Sequence, residues 1–122
     1  MKVAGFGFRA AAGAHSLADA LARAGGAQGL SALAAPADKA AASCLTALAD
    51  RLGLPIRAIP AERLAAIDTP TQAPRVHAAR GTGSVAEAAA LAAAGPGARL
   101  TGPRRISTDR MATCAIATGD TP

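Results

Sequence analysis

The chain has 122 residues, which suits one compact domain and is too short for two. A mean hydropathy of +0.25 with 17% charged residues argues against disorder, two Cys exclude a disulfide scaffold, and no apolar run is long enough to span a membrane. The net charge of +5 predicts attraction to a polyanion, yet scattered Arg residues and the absence of Trp and Tyr argue against nucleic acid.

The first half of the chain predicts a strand followed by two helices. Residues 3–8 alternate so that Ala4, Phe6 and Phe8 share one face, while the other face carries Val3 and two glycines. Ser16 followed by Asp19 has the spacing of a helix N-cap, and the helix ends at the Gly-Gly pair 25–26. Residues 27–35 show no pattern, and apolar residues at helical spacing then predict a second helix over 36–52.

The second half predicts shorter elements, and the clearest of them is a helix over 84–94. The remaining predictions are a strand at 56–59, a brief helix at 60–67, a loop at 68–75, a strand at 76–79, and extended segments 99–106 and 111–118 joined as a hairpin. Residues 119–122 should fray, which leaves 1–118 as the domain. We therefore expect an α/β fold with a single mixed sheet, Ala-rich helices on both faces and a C-terminal β-hairpin.

The start of the 84–94 helix is the strongest local signal for a binding site. Ser84 is placed to cap the helix and Glu87 to reach back as its partner, while Gly81, Thr82 and Gly83 lead into this helix start. A capped helix start after flexible residues presents N–H groups to an anion. A well-capped helix without a ligand explains the same residues equally well.

The N-terminal segment 5–10 fits the pattern G-x-G-x-x-A at the end of a strand. A dinucleotide site is disfavoured because no strand with an acidic end is apparent after the first helix, and the chain is too short for two mononucleotide halves. Gly5 and Gly7 either let a helix pack closely on the sheet or, together with Arg9, form one wall of a ligand cleft.

Basic residues cluster only at Arg104 and Arg105, with Arg110 nearby, and successive strand residues point to opposite faces. One of the pair is therefore expected to be solvated. His15 and His77 stand without a nearby acid or Cys in sequence, and the two Cys have no metal-ligand spacing. No catalytic residue, metal site or cofactor is predicted.

Five segments, taken together in their order and spacing along nearly the whole chain, resemble the CobE/CbiG C-terminal-domain family of cobalamin biosynthesis. The segments are 5–9, 52–55, 81–89, 103–107 and 111–115. Residues 31–39 depart from the more polar, strand-like stretch of that family, so no binding role is carried over to them. The ending looks more like the stand-alone CobE branch than the C-terminal part of the larger CbiG hydrolase.

The resemblance implies that the ligand is a precorrin-type tetrapyrrole, whose many carboxylates suit the positive charge of the chain. Charge-assisted bonds from Arg contribute ~1.5–3 kcal/mol each, so Arg9, Arg80 and one of Arg104 or Arg105 should decide affinity. Gly81, Thr82, Gly83 and Ser84 would orient the ligand.

Two roles remain open under that resemblance: a carrier or accessory factor for the intermediate, or a small hydrolase or isomerase acting on it. The larger relatives open a lactone and release a two-carbon fragment from the ring, and they do so with additional N-terminal sequence, which favours the first role here. Partner enzymes of the corrin pathway are plausible, and no nucleic-acid or membrane partner is expected. Arg9 interrupts the N-terminal apolar stretch before a signal peptide can form, which predicts a cytoplasmic protein.

Overall fold

The computed structural model describes residues 1–74, 76, 78 and 82–119. Within them, strands and helices with defined bounds follow in the order β1 (Lys2–Phe8), α1 (Ala14–Ala24), β2 (Ala32–Pro36), α2 (Ser43–Leu52), β3 (Ile56–Ile59), α3 (Ala61–Ala65), α4 (Val85–Ala94), β4 (Arg99–Leu100), β5 (Arg105–Ile106) and β6 (Ala112–Thr118). No helix in this part of the chain is long and apolar enough to cross a membrane.

One mixed sheet of six strands organises the domain. Its order is β3-β2-β1-β6-β4, with β5 also paired to β6. Strands β1, β2 and β3 are parallel, whereas β6 runs antiparallel to β1, β4 and β5. The carboxyl ends of β1 and β2 and the start of β6 therefore lie at the same edge of the sheet.

Helices cover both faces of this sheet, as the sequence predicted. The face of β1 that carries Ala4 and Phe6 packs against α1 and α2, and the face that carries Val3 packs against α3 and α4. Helix α4 is almost entirely Ala and is buried nearly all round. A Cβ on Gly5 would meet the carbonyl oxygen of Ala86, so the bare face of β1 lets α4 approach closely.

The predicted C-terminal hairpin forms between β5 and β6, but its first strand is interrupted. Arg99 pairs with Thr118 and Arg105 with Cys114, so the seven residues 99–105 on one side face the five residues 114–118 on the other. Two extra residues are accommodated in the bend at 101–104. This bend separates β4 from β5 and sets the position of Arg104.

Three predictions of secondary structure were wrong. Residues 32–36 form β2, and α2 begins only at Ser43 rather than at position 36. Val76 and Ala78 are helical where a strand was predicted over 76–79; residues 77 and 79 lie outside the described part. Helix α1 begins earlier than predicted, with Gly13 rather than Ser16 as its N-cap.

At the end of the domain, Gly119 donates its N–H to the carbonyl of Met1 at 2.8 Å. The rest of the tail that was predicted to fray, residues 120–122, lies outside the described residues.

Candidate functional site

A cleft of about 370 Å³ opens at the edge of the sheet where β1 and β2 end. The last residues of these two parallel strands, Phe8 and Pro36, line it together with the first residues of β6. Open α/β sheets bind ligands outside the carboxyl ends of their strands. The position of the cleft therefore agrees with where this architecture places a binding site.

Four cationic side chains line the cleft, namely Arg9, Lys39, Arg104 and Arg110. They come from four separate segments, which follow β1, follow β2, precede β5 and precede β6. The described lining includes no acidic residue, and none of the four forms an ion pair with a described carboxylate. Like charges gathered at one cleft repel each other, so an anion bound between them would be stabilised.

Apolar side chains form the remainder of the wall, and they include Phe8, Val85, Ile106 and Met111. The Lys39 ammonium lies 5.2 Å from the centre of the Phe8 ring, a cation–π contact. This contact holds the Lys39 side chain at the cleft wall. The cleft therefore combines an apolar surface with charges, as in sites that bind an organic anion.

Arg9 is positioned by the junction between β1 and β6. Its N–H donates to the carbonyl of Met111 at 2.9 Å, which extends the pairing of the two strands by one residue. The side chain is exposed, so its guanidinium is available to a ligand in the cleft.

Arg104 is positioned by a buried carboxylate. Glu87 in α4 is 0% exposed, and its Oε2 accepts hydrogen bonds from the Arg104 N–H at 2.8 Å and the Thr71 hydroxyl at 2.9 Å. Its Oε1 accepts from the Thr71 N–H at 2.9 Å. Ser84 caps α4 as predicted, but Glu87 ties two loops to the helix instead of reaching back to the cap.

Arg110 is positioned by the turn between β5 and β6. Its φ of 61° lies in the left-handed region, and it is the single non-Gly residue with positive φ in the described chain. The neighbouring Asp109 accepts hydrogen bonds from the hydroxyls of Ser107 and Ser16, both at 2.6 Å. A left-handed Arg costs ~1–3 kcal/mol, and backbone strain of this kind concentrates at functional sites.

The predicted ligand-binding residues divide by location. Gly7, Arg9 and Arg104 line the cleft, so the structure brings together residues that are far apart in sequence. Arg105 lines a second hollow with Arg104, on the surface next to the cleft. Gly5 lies beneath α4 and its role there is close packing.

Most described residues of the predicted segment at the start of α4 lie away from the cleft surface. Thr82, Gly83, Ser84 and Glu87 are buried and do not line the cleft, while Val85 does. The Thr82 hydroxyl has no hydrogen-bond partner among the described residues. Arg80 and Gly81 lie outside the described residues, so ligand binding by this segment stays a prediction.

Sequence reasoning missed Lys39 and did not assign Arg110 to the site. Lys39 follows β2, and β2 was not recognised because all five of its residues are buried and show no alternation. Five apolar residues followed by a turn were the available signal for a buried parallel strand. Arg110 was noted beside the pair at 104–105, but only the tertiary structure shows that it lines the cleft.

No group of three or more His, Cys, Asp or Glu that would suit a metal ion occurs among the described residues. Cys114 is buried within the sheet, and burial raises the pKa of its thiol. A thiol with a raised pKa is a poor nucleophile and a poor metal ligand, so Cys114 serves the core.

The family model described as cobalamin synthesis G C-terminus matches residues 2–117. No match was found among curated proteins.

Two similar solved structures are of proteins of cobalamin biosynthesis. The crystal structure of CobE, a protein from the cobalamin (vitamin B12) biosynthetic pathway, is 30% identical, with a TM-score of 0.81 over 96% of this chain and 89% of that chain. The cobalamin biosynthesis protein chiG from Agrobacterium tumefaciens str. C58 is 35% identical, with a TM-score of 0.74 over 99% and 100% of the two chains.

A more distant structure, a cobalamin biosynthesis protein G homolog from Sulfolobus solfataricus, is 21% identical with a TM-score of 0.70. The match covers 98% of this chain and 37% of that larger one. At this identity the likeness concerns the fold.

Proposed function

The chain belongs to the cobalamin synthesis G C-terminal family, and from this premise we propose that its basic cleft binds a polycarboxylate tetrapyrrole intermediate of corrin-ring synthesis. In this role the protein is a carrier or accessory factor of cobalamin biosynthesis that acts beside other enzymes of the pathway in the cytoplasm.

The observation that carries this proposal is the convergence of Arg9, Lys39, Arg104 and Arg110 on one cleft without a carboxylate in its described lining. A precorrin-type ring carries acetate and propionate groups around its rim. Each charge-assisted bond to such a carboxylate contributes ~1.5–3 kcal/mol. Three such bonds at the upper end of this range sum to about 9 kcal/mol, which corresponds to a dissociation constant of about 1 μM or below.

The apolar part of the cleft supports the same ligand class. Phe8, Val85 and Met111 offer an apolar surface for the face of a macrocycle, and the four cations of the lining suit the carboxylates of its rim. A volume of about 370 Å³ lies within the usual range for small-molecule sites, although a whole tetrapyrrole would extend beyond it.

A hydrolase or isomerase acting on the same ring is the alternative. Such a reaction needs a group that moves a proton. The described lining contains no imidazole, carboxylate or thiol, and its one amine, that of Lys39, is held over the Phe8 ring. Its one hydroxyl belongs to Thr113, which donates to the carbonyl of Gly7 at 3.3 Å. Binding is therefore the function that these residues support best.

Titration with cobyrinic acid, a corrinoid with several free carboxylates, tests the proposal. We expect affinity to fall as salt is added, because screening weakens contacts between exposed charges. Arg9→Ala should weaken binding about tenfold or more, since one charge-assisted bond is lost. Arg57→Ala is the matched control, because this exposed Arg on β3 lines neither hollow.

A flat response to salt, or equal affinities of the two variants, would count against the cleft as the site. Product analysis after single-turnover incubation with a precorrin separates binding from catalysis. A new ring product would show that the protein is a hydrolase or isomerase rather than a carrier.

A further inference from the structure

Three arginines line a second, open hollow of about 440 Å³ next to the cleft. Its described lining consists of Arg23, Arg104, Arg105 and Ile106. Arg104 and Ile106 also line the cleft, so these two residues form the boundary between the two hollows. The second hollow therefore adjoins the proposed binding site.

The three arginines are brought together by different parts of the fold. Arg23 lies in the last turn of α1, where it donates to the Thr108 hydroxyl at 2.6 Å and pairs with Asp19 at 3.3 Å. Arg104 is held through its N–H by Glu87. Arg105 is exposed, and its side chain makes no hydrogen bond or ion pair with a described residue.

The charge around this hollow is unbalanced. Asp19 neutralises Arg23, but no carboxylate forms an ion pair with the guanidinium group of Arg104 or Arg105 in the part of the chain that the structure describes. Placing guanidinium groups around one hollow costs free energy through mutual repulsion. A bound carboxylate would remove that repulsion and accept bidentate hydrogen bonds from a guanidinium.

The boundary between the hollows includes an exposed apolar side chain beside Arg104. Ile106 is 37% exposed and is the single large hydrophobic side chain exposed among the described residues. Cations lie on both sides of it, with Arg9 and Arg110 in the cleft and Arg23 and Arg105 in the second hollow. This arrangement fits a ligand with an apolar body and acidic groups on opposite edges.

We propose that the hollow lined by Arg23, Arg104 and Arg105 is an outer anion-binding subsite for carboxylates on the far edge of a macrocycle whose body crosses Ile106. This subsite rests on the proposed function of the cleft and extends it. The subsite makes the distribution of carboxylates around the ring a determinant of specificity. A ring with acidic groups on one edge alone cannot reach both hollows.

A series of porphyrins tests the subsite, since they share one ring and differ in their acidic groups. The probes are uroporphyrin, an octacarboxylate, coproporphyrin, a tetracarboxylate, and mesoporphyrin, a dicarboxylate. The wild-type protein should bind uroporphyrin most tightly. Arg105→Ala should weaken uroporphyrin binding about tenfold, the value of one charge-assisted bond, and leave mesoporphyrin within about twofold.

Two further variants separate charge from geometry. Arg105→Lys keeps the charge and should recover part of the lost affinity for uroporphyrin, since a point charge replaces the bidentate group. Arg57→Ala removes the same charge at β3 and should leave all three affinities unchanged. Thermal unfolding of each variant checks that the fold is retained.

The subsite is overturned if Arg105→Ala binds uroporphyrin as well as Arg57→Ala does, or if it loses affinity for all three porphyrins equally. Either result leaves the cleft intact as long as Arg9→Ala still weakens binding. If the wild-type protein binds neither the porphyrins nor cobyrinic acid, the proposed function itself fails.

Discussion

The hydroxyl of Ser16, in the first turn of α1, donates a hydrogen bond of 2.6 Å to the carboxylate of Asp109 in the turn between β5 and β6. The other oxygen of that carboxylate accepts from the Ser107 hydroxyl at 2.6 Å and from the Met111 N–H at 3.1 Å. Asp109 thus joins α1 to the turn that presents Arg110 and Met111 to the cleft.

These bonds make the stability of the domain depend on pH. Hydrogen bonds from Ser107, and next from Ser16, lower the pKa of Asp109 from 3.8 to about 2. A carboxyl group with a lowered pKa stabilises the fold at pH values above about 4, and this contribution is lost as the pH falls from about 4 to about 2. Asp109→Asn should therefore be less stable than wild type at pH 7, with the difference shrinking across that range.

Urea unfolding at pH 7, 4 and 2 measures this change. Asp50→Asn, at an exposed position of α2, is the control and should show a small difference that does not vary in the same way. A destabilisation by Asp109→Asn that is equal at all three pH values would contradict the role of the ionised carboxylate.

We expect Arg110 to lower the stability of the fold and to raise the affinity for the ligand. Arg110→Gly relieves the strain of a left-handed backbone, which costs ~1–3 kcal/mol. The same substitution stabilises the unfolded chain by ~0.4–1 kcal/mol, because Gly gives it more conformational entropy. Its thermal stability should be unchanged or higher, while its affinity for cobyrinic acid falls about tenfold because a cation is lost.

Arg110→Ala serves as the matched control, since it loses the same cation and keeps the strained backbone. It should bind as weakly as Arg110→Gly and be less stable than that variant. Wild-type affinity in both variants would show that Arg110 does not contact the ligand. A glycine variant less stable than the alanine variant would contradict the predicted backbone strain at this position.

Glu87 should be required for stability as well as for the position of Arg104. Glu87→Ala leaves the N–H groups of Thr71 and Arg104 without their acceptor, at a cost of about 2 kcal/mol or more. We expect a matching loss in the free energy of unfolding, measured with urea, and weaker binding of cobyrinic acid.

Glu62→Ala, at an exposed position of α3, is the comparison for Glu87→Ala and should change stability by no more than about 0.5 kcal/mol. Equal stabilities of the two variants would show that the buried carboxylate contributes nothing to the fold.

Gly5 is predicted to be intolerant of any side chain. A Cβ there would meet the carbonyl oxygen of Ala86 and lie 2.5 Å from the backbone nitrogen of Ala90, so α4 would have to move away from β1. Gly5→Ala should lower the free energy of unfolding by about 3 kcal/mol. Circular dichroism during thermal unfolding detects the loss.

Gly102→Ala provides the contrast, because a Cβ at that position has nothing within 4 Å and the backbone needs no left-handed conformation. Its stability should be unchanged or raised by up to about 1 kcal/mol, since Ala restricts the unfolded chain. A Gly5→Ala variant as stable as Gly102→Ala would refute the close contact between β1 and α4.

The elements predicted correctly share a local signal. Alternation in β1, the Ser84 cap of α4 and the glycine stop of α1 each depend on residues within a few positions of one another. Strand β2 lacks such a signal, because a parallel strand buried on both faces shows no alternation. With β2 unrecognised, Lys39 at its carboxyl end had no predicted place in the site.

By itself, the sequence determined the α/β class, the bare face of β1, the capped helix α4, the hairpin and an excess of cations that favours an acidic ligand. Only the tertiary structure decided which cations meet, because Arg9, Lys39, Arg104 and Arg110 come from segments joined through the sheet rather than along the chain. It likewise decided that Glu87 holds Arg104 and Thr71 instead of its own cap. Helical and strand patterns arise from interactions between near neighbours, whereas a binding site depends on strand order and on contacts between distant residues that no local pattern encodes.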